Sequence, residues 1–218
     1  MRAVIFANGT LGDLAQIIPL IRSGDLLIAA NGGSLNCLSS GRWPHTVVGD
    51  LDSISHDLLL EFRRHNVNFL EHPRDKDKTD LELALQFAIS QGVVEVLLLG
   101  LYGERLDQTL ANLLLLARDD WKDVRVTLSS GAELAYLLHS EGSINLIGKP
   151  GDIVSLIPLS EIVRGVSTQG FRWPLSGADL SFGTTLSISN ELTTSEASVK
   201  ILSGKLLVTH RRGNKEDR

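Results

Sequence analysis

Asp75-Lys76-Asp77-Lys78-Thr79-Asp80-Leu81-Glu82 ends a loop and begins a helix. Thr79 suits the N-cap: its hydroxyl takes the Glu82 N–H and Glu82 reaches back, forming a capping box. Leu81, Ala84, Leu85, Ala88 and Ile89 follow at helical spacing, and Gly92 stops the run. Asp80 then falls in the first turn, near the positive end of the helix dipole. Alone, the stretch also reads as a capped helix behind a solvated charged loop.

A second acidic cluster gives the first one a context. Gly49-Asp50-Leu51-Asp52-Ser53 follows the apolar run Thr46-Val47-Val48. Carboxylates at i and i+2 beyond a strand end can turn onto a shared ion. Oxygen ligands of this kind suit a hard cation such as Mg²⁺ or Mn²⁺.

Outward from these clusters the chain alternates. Short strands are predicted at residues 2–7, 26–30, 46–48, 67–70, 94–99 and 124–128. Helices are predicted at 14–21, near 35–38, at 57–65, from 80 to about 91, and from 107 through 116. This order argues for an α/β domain with a mostly parallel sheet. In such sheets ligands bind beyond the carboxyl ends of the strands. Five distinctive loops fall there: 8–13, 31–34, 49–53, 75–80 and 100–107. Gly32-Gly33 permits close backbone approach to a ligand, although the pair is equally a plain turn. Gly100-x-x-Gly103-x-Arg105-x-Asp107 sets a guanidinium beside a carboxylate at a helix start, which is also how a surface ion pair reads.

Near Ser140 helical periodicity disappears. Apolar runs separated by Gly and Pro follow at 144–147, 152–158, 163–168, 181–189, 198–201 and 205–210, the pattern of a small all-β, sandwich-like domain. The expected division is an α/β domain over 1–139, a β domain over 140–210 and a charged, flexible tail over 211–218. Within the β domain, Gln169-Gly-Phe-Arg-Trp173-Pro-Leu offers an aromatic face for a flat ring, or ordinary core. Ser187-Ile-Ser189-Asn190-Glu191 offers polar groups, or a turn.

Composition narrows the classes. The 218 residues are 43% hydrophobic and carry a net charge of −5, which supports a sizeable core and argues against a general nucleic-acid binder. Cys37 stands alone, so no intrachain disulfide forms and a reducing compartment fits. The apolar part of the N-terminus is too short for a signal peptide, and no run reaches membrane-spanning length. A cytoplasmic protein without membrane partners is the expectation.

Taken together, Gly32-Gly33, Gly49-Asp-Leu-Asp-Ser53, Asp75-Lys-Asp-Lys-Thr-Asp80, Gly103-x-Arg105-Leu-Asp107 with Thr109-Leu-Ala-Asn112, Gly170-Phe-Arg-Trp173-Pro-Leu, Gly183 and Ser187-x-Ser189-Asn190-Glu191 resemble the thiamine pyrophosphokinase family over nearly the whole chain. The resemblance implies an N-terminal α/β domain, a C-terminal β-sandwich-like domain and a homodimer. It implies Mg²⁺-dependent transfer of pyrophosphate from ATP to the thiamine hydroxyl, giving thiamine diphosphate and AMP. Asp50, Asp52 and Asp80 match the family's metal and phosphate site, with Arg105 and Asp107 as further catalytic candidates. Asn31, Gly32, Gly33, Lys76, Asp77 and Thr79 fall to ATP and its phosphates. Trp173, Ser189 and Asn190 fall to thiamine, Trp173 stacking on its pyrimidine in a pocket completed across the dimer. The carboxylate that orients the hydroxyl is Asp80 or Asp107. Two positions depart from the pattern: Asn31 where Asp is frequent, and Gln108 where His is usual. They keep open a different flat alcohol, such as a hydroxymethylpterin, and a non-catalytic thiamine or nucleotide sensor.

Overall fold

The computed structural model describes residues 1–103 and 105–213. The chain forms two compact units, Met1–Leu115 with Asp123–Gly131, and Leu116–Lys122 with the chain from Ala132 onward. The tail expected at 211–218 lies, from Asn214, outside the described residues, while Arg211 still belongs to a strand.

The first unit is built on six parallel strands: β1 (Arg2–Phe6), β2 (Leu26–Ala30), β3 (Thr46–Gly49), β4 (Asn68–Glu71), β5 (Glu95–Leu99) and β6 (Arg125–Ser129). Their order is β4-β3-β2-β1-β5-β6. After Arg2, Leu26 and Glu95, strands β1, β2 and β5 are buried at every position, as expected where helices cover both faces of a parallel sheet. β4 forms an edge and is largely exposed. The connecting helices are α1 (Leu14–Ile17), α2 (Gly33–Ser39), α3 (His56–Arg64), α4 (Asp80–Ser90) and α5 (Leu106–Leu116). The helix predicted over 14–21 is only one turn long. Pro19 has no N–H for the α ladder, and the chain tightens to a 3₁₀ turn over Ile18–Leu20. At α4 Thr79 is the N-cap: its hydroxyl accepts the Glu82 N–H at 3.2 Å.

The chain runs outward from β1 to β4, then returns to place β5 on the other side of β1. This is the topological switch point at which α/β sheets bind ligands.

The second unit contains two antiparallel sheets. One has the order β12-β9-β14-β7, from β12 (Asn190–Glu191), β9 (Ile153–Pro158), β14 (Leu206–Arg211) and β7 (Glu133–Leu138). The other has the order β11-β10-β13-β8, from β11 (Ala178–Ser181), β10 (Ile162–Gln169), β13 (Glu196–Lys200) and β8 (Ser143–Ile147). Strand β9 alternates buried and half-buried positions along its length. Leu146, Val154, Leu156, Val163, Phe171, Val199 and Val208 belong to one apolar core. The structure differs from the predicted strands: β7 and the short β12 lie where none is predicted, and the run at 181–189 is a strand only at Ser181, where β11 ends. Gly183 (φ +81°) turns the chain there, and Phe182 and Leu186 remain exposed.

Asp152 secures this unit. It is buried and accepts the Lys149 N–H (3.0 Å) and the Gly213 N–H (3.1 Å), and pairs with His210 Nε2 at 3.0 Å. Burial pushes its carboxyl pKa up, but the bonds from His210, Lys149 and Gly213 together outweigh that and hold it below the ordinary value. Asp152→Asn should cost about 1.5–3 kcal/mol, because charge-assisted bonds are lost in a buried site. The sign with pH follows from the lowered value. The contribution is present above the unfolded carboxyl pKa of about 3.9 and is lost as pH falls through the folded one. Melting curves between pH 7 and 3 should show the wild type and Asp152→Asn separated at neutral pH and converging in acid.

Candidate active site

The carboxyl ends of the parallel strands surround a cleft of about 590 Å³. Asn8 and Gly9 follow β1, Asn31 and Gly32 follow β2, Asp52 follows β3, Lys76, Thr79 and Asp80 follow β4, and Gly100, Gly103 and Arg105 follow β5. The sheet therefore gathers residues from five separate loops.

Asp50 and Asp52, which follow β3, are linked by a neighbour that follows β2. Asn31 Nδ2 donates to Asp50 Oδ1 at 2.7 Å and to Asp52 Oδ1 at 3.2 Å. The Asp52 N–H also points to Asp50 Oδ1 (3.3 Å), and the Ser53 hydroxyl donates to Asp52 Oδ1 (3.1 Å). Hydrogen bonding to Asn31, then to Asp50 and Ser53, holds the Asp52 carboxyl below the usual range, helped by Arg74, whose Nε lies 4.0 Å from Asp52 Oδ2. Asn31 (φ +45°) and Leu51 (φ +62°) are both left-handed, a conformation that costs a non-glycine residue energy and is concentrated at functional sites.

Asp80 reaches the same place from α4. A Cβ added to Gly49 would lie 2.9 Å from Asn31 Cβ and 3.1 Å from Asp80 Oδ1, so glycine is required where these groups converge. Asp80 Oδ1 is buried and takes no hydrogen bond; Lys76 Nζ stands 3.1 Å away as its counter-charge, out of line for one. Among the described residues no three His, Cys, Asp or Glu side chains gather tightly enough to hold a metal ion unaided. The donor set nonetheless fits Mg²⁺, which takes one or two carboxylates and completes its shell with water and substrate phosphates. The hydrogen bonds on the Asp50–Asp52 pair fall on the Oδ1 atoms, and the Oδ2 atoms and Asp80 Oδ1 remain as oxygen donors.

Not every residue singled out from the sequence lines the cleft. Asp50 is not among the lining residues and is tied to the site through Asn31. Gly33 is the buried first residue of α2, where an added Cβ would lie 2.0 Å from the Phe6 carbonyl oxygen, and Gly32 packs beneath the Asn8 amide. The Gly-Gly pair is thus already required by helix–strand packing. Asp77 is exposed and does not line the cleft. Asp107 faces Arg105 instead: Arg105 Nε donates to Asp107 Oδ1 at 3.0 Å and its Nη2 to the other oxygen. That fork, with the Gln108 N–H, holds the Asp107 carboxyl at about 2. Glu104, between Gly103 and Arg105, lies outside the described residues.

Sequence reading missed three contributors. Arg74 and Asn8 both line the cleft. Asn36, on α2, donates to the carbonyls of Ala7 and Gly9, each at 2.7 Å, and fixes the loop that carries Asn8.

The aromatic candidate lies in the second unit. Trp173 is half exposed, and the Arg172 guanidinium sits 4.8 Å from its ring centroid. Asn190 is buried and holds this loop from both ends of its amide: Trp173 N–H donates to Oδ1 (3.2 Å), and Nδ2 donates to the Trp173 carbonyl (2.7 Å). Asn190 is therefore committed to the backbone. Ser189 is exposed, left-handed (φ +59°), and anchored through its N–H to the Ser155 hydroxyl at 3.0 Å.

Comparison with known proteins gives this geometry a relative. Residues 18–128 match the family model described as "Thiamin pyrophosphokinase, catalytic domain", and residues 142–207 match "Thiamin pyrophosphokinase, vitamin B1 binding domain". The chain is 27% identical to a thiamine pyrophosphokinase of Bacillus subtilis, over 94% of this chain and 95% of that protein. It is also 27% identical to thiamine pyrophosphokinase 1 of Oryza sativa, over 76% of this chain but only 64% of the longer rice protein. The crystal structure of the Bacillus subtilis enzyme superposes with a TM-score of 0.86 at 24% identity, covering 98% of this chain and all of that one, which shows a shared fold.

Proposed function

The chain belongs to the thiamin pyrophosphokinase family, and on that premise we propose that it transfers the pyrophosphoryl group of ATP to the hydroxyl of thiamine, releasing AMP and thiamine diphosphate. The observation that carries this reading is the convergence of Asp52, Asp80, Lys76 and Arg105 on one cleft at the switch point of a parallel sheet. The relatives named above are thiamine pyrophosphokinases, which favours neither a pterin acceptor nor a non-catalytic sensor.

ATP takes the cleft of the first unit. Lys76, Arg74 and Arg105 supply positive charge for its phosphates, and Thr79 and Asn31 border the same space. Against bare carboxylates the triphosphate would be repelled: two like charges at about 4 Å cost roughly 4 kcal/mol at an effective dielectric near 20. Asp50, Asp52 and Asp80 would hold Mg²⁺, which when bound neutralises this charge and polarises the phosphoryl oxygens. The protein's remaining task is positioning, the main requirement of phosphoryl-type transfer. Arg105 is held by Asp107, which directs the guanidinium. With both Asp107 oxygens so engaged, Asp80 is the better candidate to orient the thiamine hydroxyl.

Thiamine takes the Trp173 face of the second unit, with Ser189 at its edge and Asn190 fixing the tryptophan loop. The chain acts as a homodimer in which the second copy completes the thiamine pocket; exposed Phe182 and Leu186 give that unit an apolar surface consistent with this. Among the described residues no helix is long and apolar enough to cross a membrane, and the setting proposed is the cytoplasm. An acceptor panel tests the assignment. AMP release from ATP and Mg²⁺ should require thiamine, and a hydroxymethylpterin should not replace it. Release with the pterin alone would refute the acceptor.

A further inference from the structure

Two carboxylates side by side repel each other, and in a site built for a cation that repulsion is unrelieved until the cation arrives. Here a neutral side chain already stands between them. Asn31 is 8% exposed, and its single amide nitrogen bonds Oδ1 of both Asp50 and Asp52. Its backbone is held as firmly. The Asn31 N–H donates to the Val48 carbonyl at 2.8 Å, its own carbonyl accepts from Ser34 N–H at 3.0 Å, and its Cβ packs against Gly49. The amide cannot be read the other way round, because its carbonyl oxygen would then face two carboxylates. Asn31 Oδ1 is left buried and without a hydrogen bond. The Asp52 N–H and Ser53 hydroxyl add to the same Oδ1 atoms, so the donors gather on one oxygen of each carboxylate.

We propose that Asn31 is a positioning residue that clamps Asp50 and Asp52 together before any cation is present, presenting the Oδ2 atoms to the incoming metal and nucleotide. The clamp makes the ligand-free protein largely independent of divalent cations for its stability. This inference rests on the assignment of Asp50 and Asp52 to the metal site, but its test reads stability without ATP or thiamine.

Asn31→Asp is the informative change. Aspartate tolerates the left-handed backbone much as asparagine does, so the variant removes the donor and adds a third charge without adding strain. In the presence of a chelator its melting temperature should fall by at least about 3 °C, the shift that a lost charge-assisted bond produces in a chain of this size. In an Asp50→Asn background the same change should cost clearly less, because one of the two bonded carboxylates is gone. Millimolar Mg²⁺ should raise the melting temperature of Asn31→Asp more than that of the wild type. Equal costs in the two backgrounds, or an Mg²⁺ response no larger than the wild type's, overturn the proposal. If Asn31→Asp does not fold, Asn31→Gly removes the donor at a position where glycine is unstrained. Its Mg²⁺ response should also exceed the wild type's, and an identical response overturns the clamp. Absence of thiamine-dependent AMP release by the wild type would instead count against the proposed reaction.

Discussion

Asp52→Asn should lower thiamine-dependent AMP formation by on the order of 10²–10³-fold or more, the loss typical when a group that organises transition-state charge is removed. The side chain is half exposed, and asparagine nearly preserves its shape. The fold should therefore survive, with a melting temperature close to that of the wild type. What disappears is a full negative charge in a cleft where Arg74, Lys76 and Arg105 remain. The Mg²⁺ concentration giving half-maximal rate should rise as well, since one oxygen donor is weakened. Turnover near the wild-type level would remove Asp52 from the metal site.

Gly33→Ala should have the largest effect on the fold. The added methyl would lie 2.0 Å from the Phe6 carbonyl oxygen and 2.6 Å from its carbon, both backbone atoms of the central strand. No flexible side chain can yield, so α2 must move off the sheet. It would carry Asn31 and Gly32 away from Asp50, and Asn36 away from the Ala7–Gly9 loop. Overpacking of this kind costs about 1–3 kcal/mol or more, which for a chain of this size lowers the melting temperature by roughly 2–12 °C. Unlike Asp52→Asn, it should impair stability and nucleotide binding together. Differential scanning fluorimetry with and without ATP separates the two variants. A Gly33→Ala protein as stable as the wild type would contradict the packing described for α2.

The α/β class was legible because β1, β2 and β5 are apolar throughout once past Arg2 and Glu95, and alternate with helical runs. Thr79 and Gly92 marked both ends of α4 with local chemistry alone. The loops that form the cleft were legible for a topological reason: a parallel sheet sends every strand's carboxyl end to one side. β7 was harder to find because Glu133–Leu138 lacks a strict alternation and is buried at four of its six positions. The run at 181–189 misled in the opposite sense, because Phe182, Leu186 and Ile188 are apolar yet exposed. The site followed the same division. Asp50, Asp52, Thr79 and Asp80 were recognisable from short local patterns. Asn31 stood out only as an uncharged residue among acids. Its bonds run to residues 19 and 21 positions away, and those of Asn36 span 29 and 27, distances at which the sequence carries no local signal.

The most direct measurement is AMP formation from ATP and Mg²⁺ by the purified chain, with and without thiamine, with thiamine diphosphate quantified in the same samples. Equal amounts of AMP and thiamine diphosphate, both absent when thiamine or Mg²⁺ is omitted, are the predicted result. A folded protein that binds ATP but forms neither product, or that releases ADP in place of AMP, would contradict pyrophosphoryl transfer.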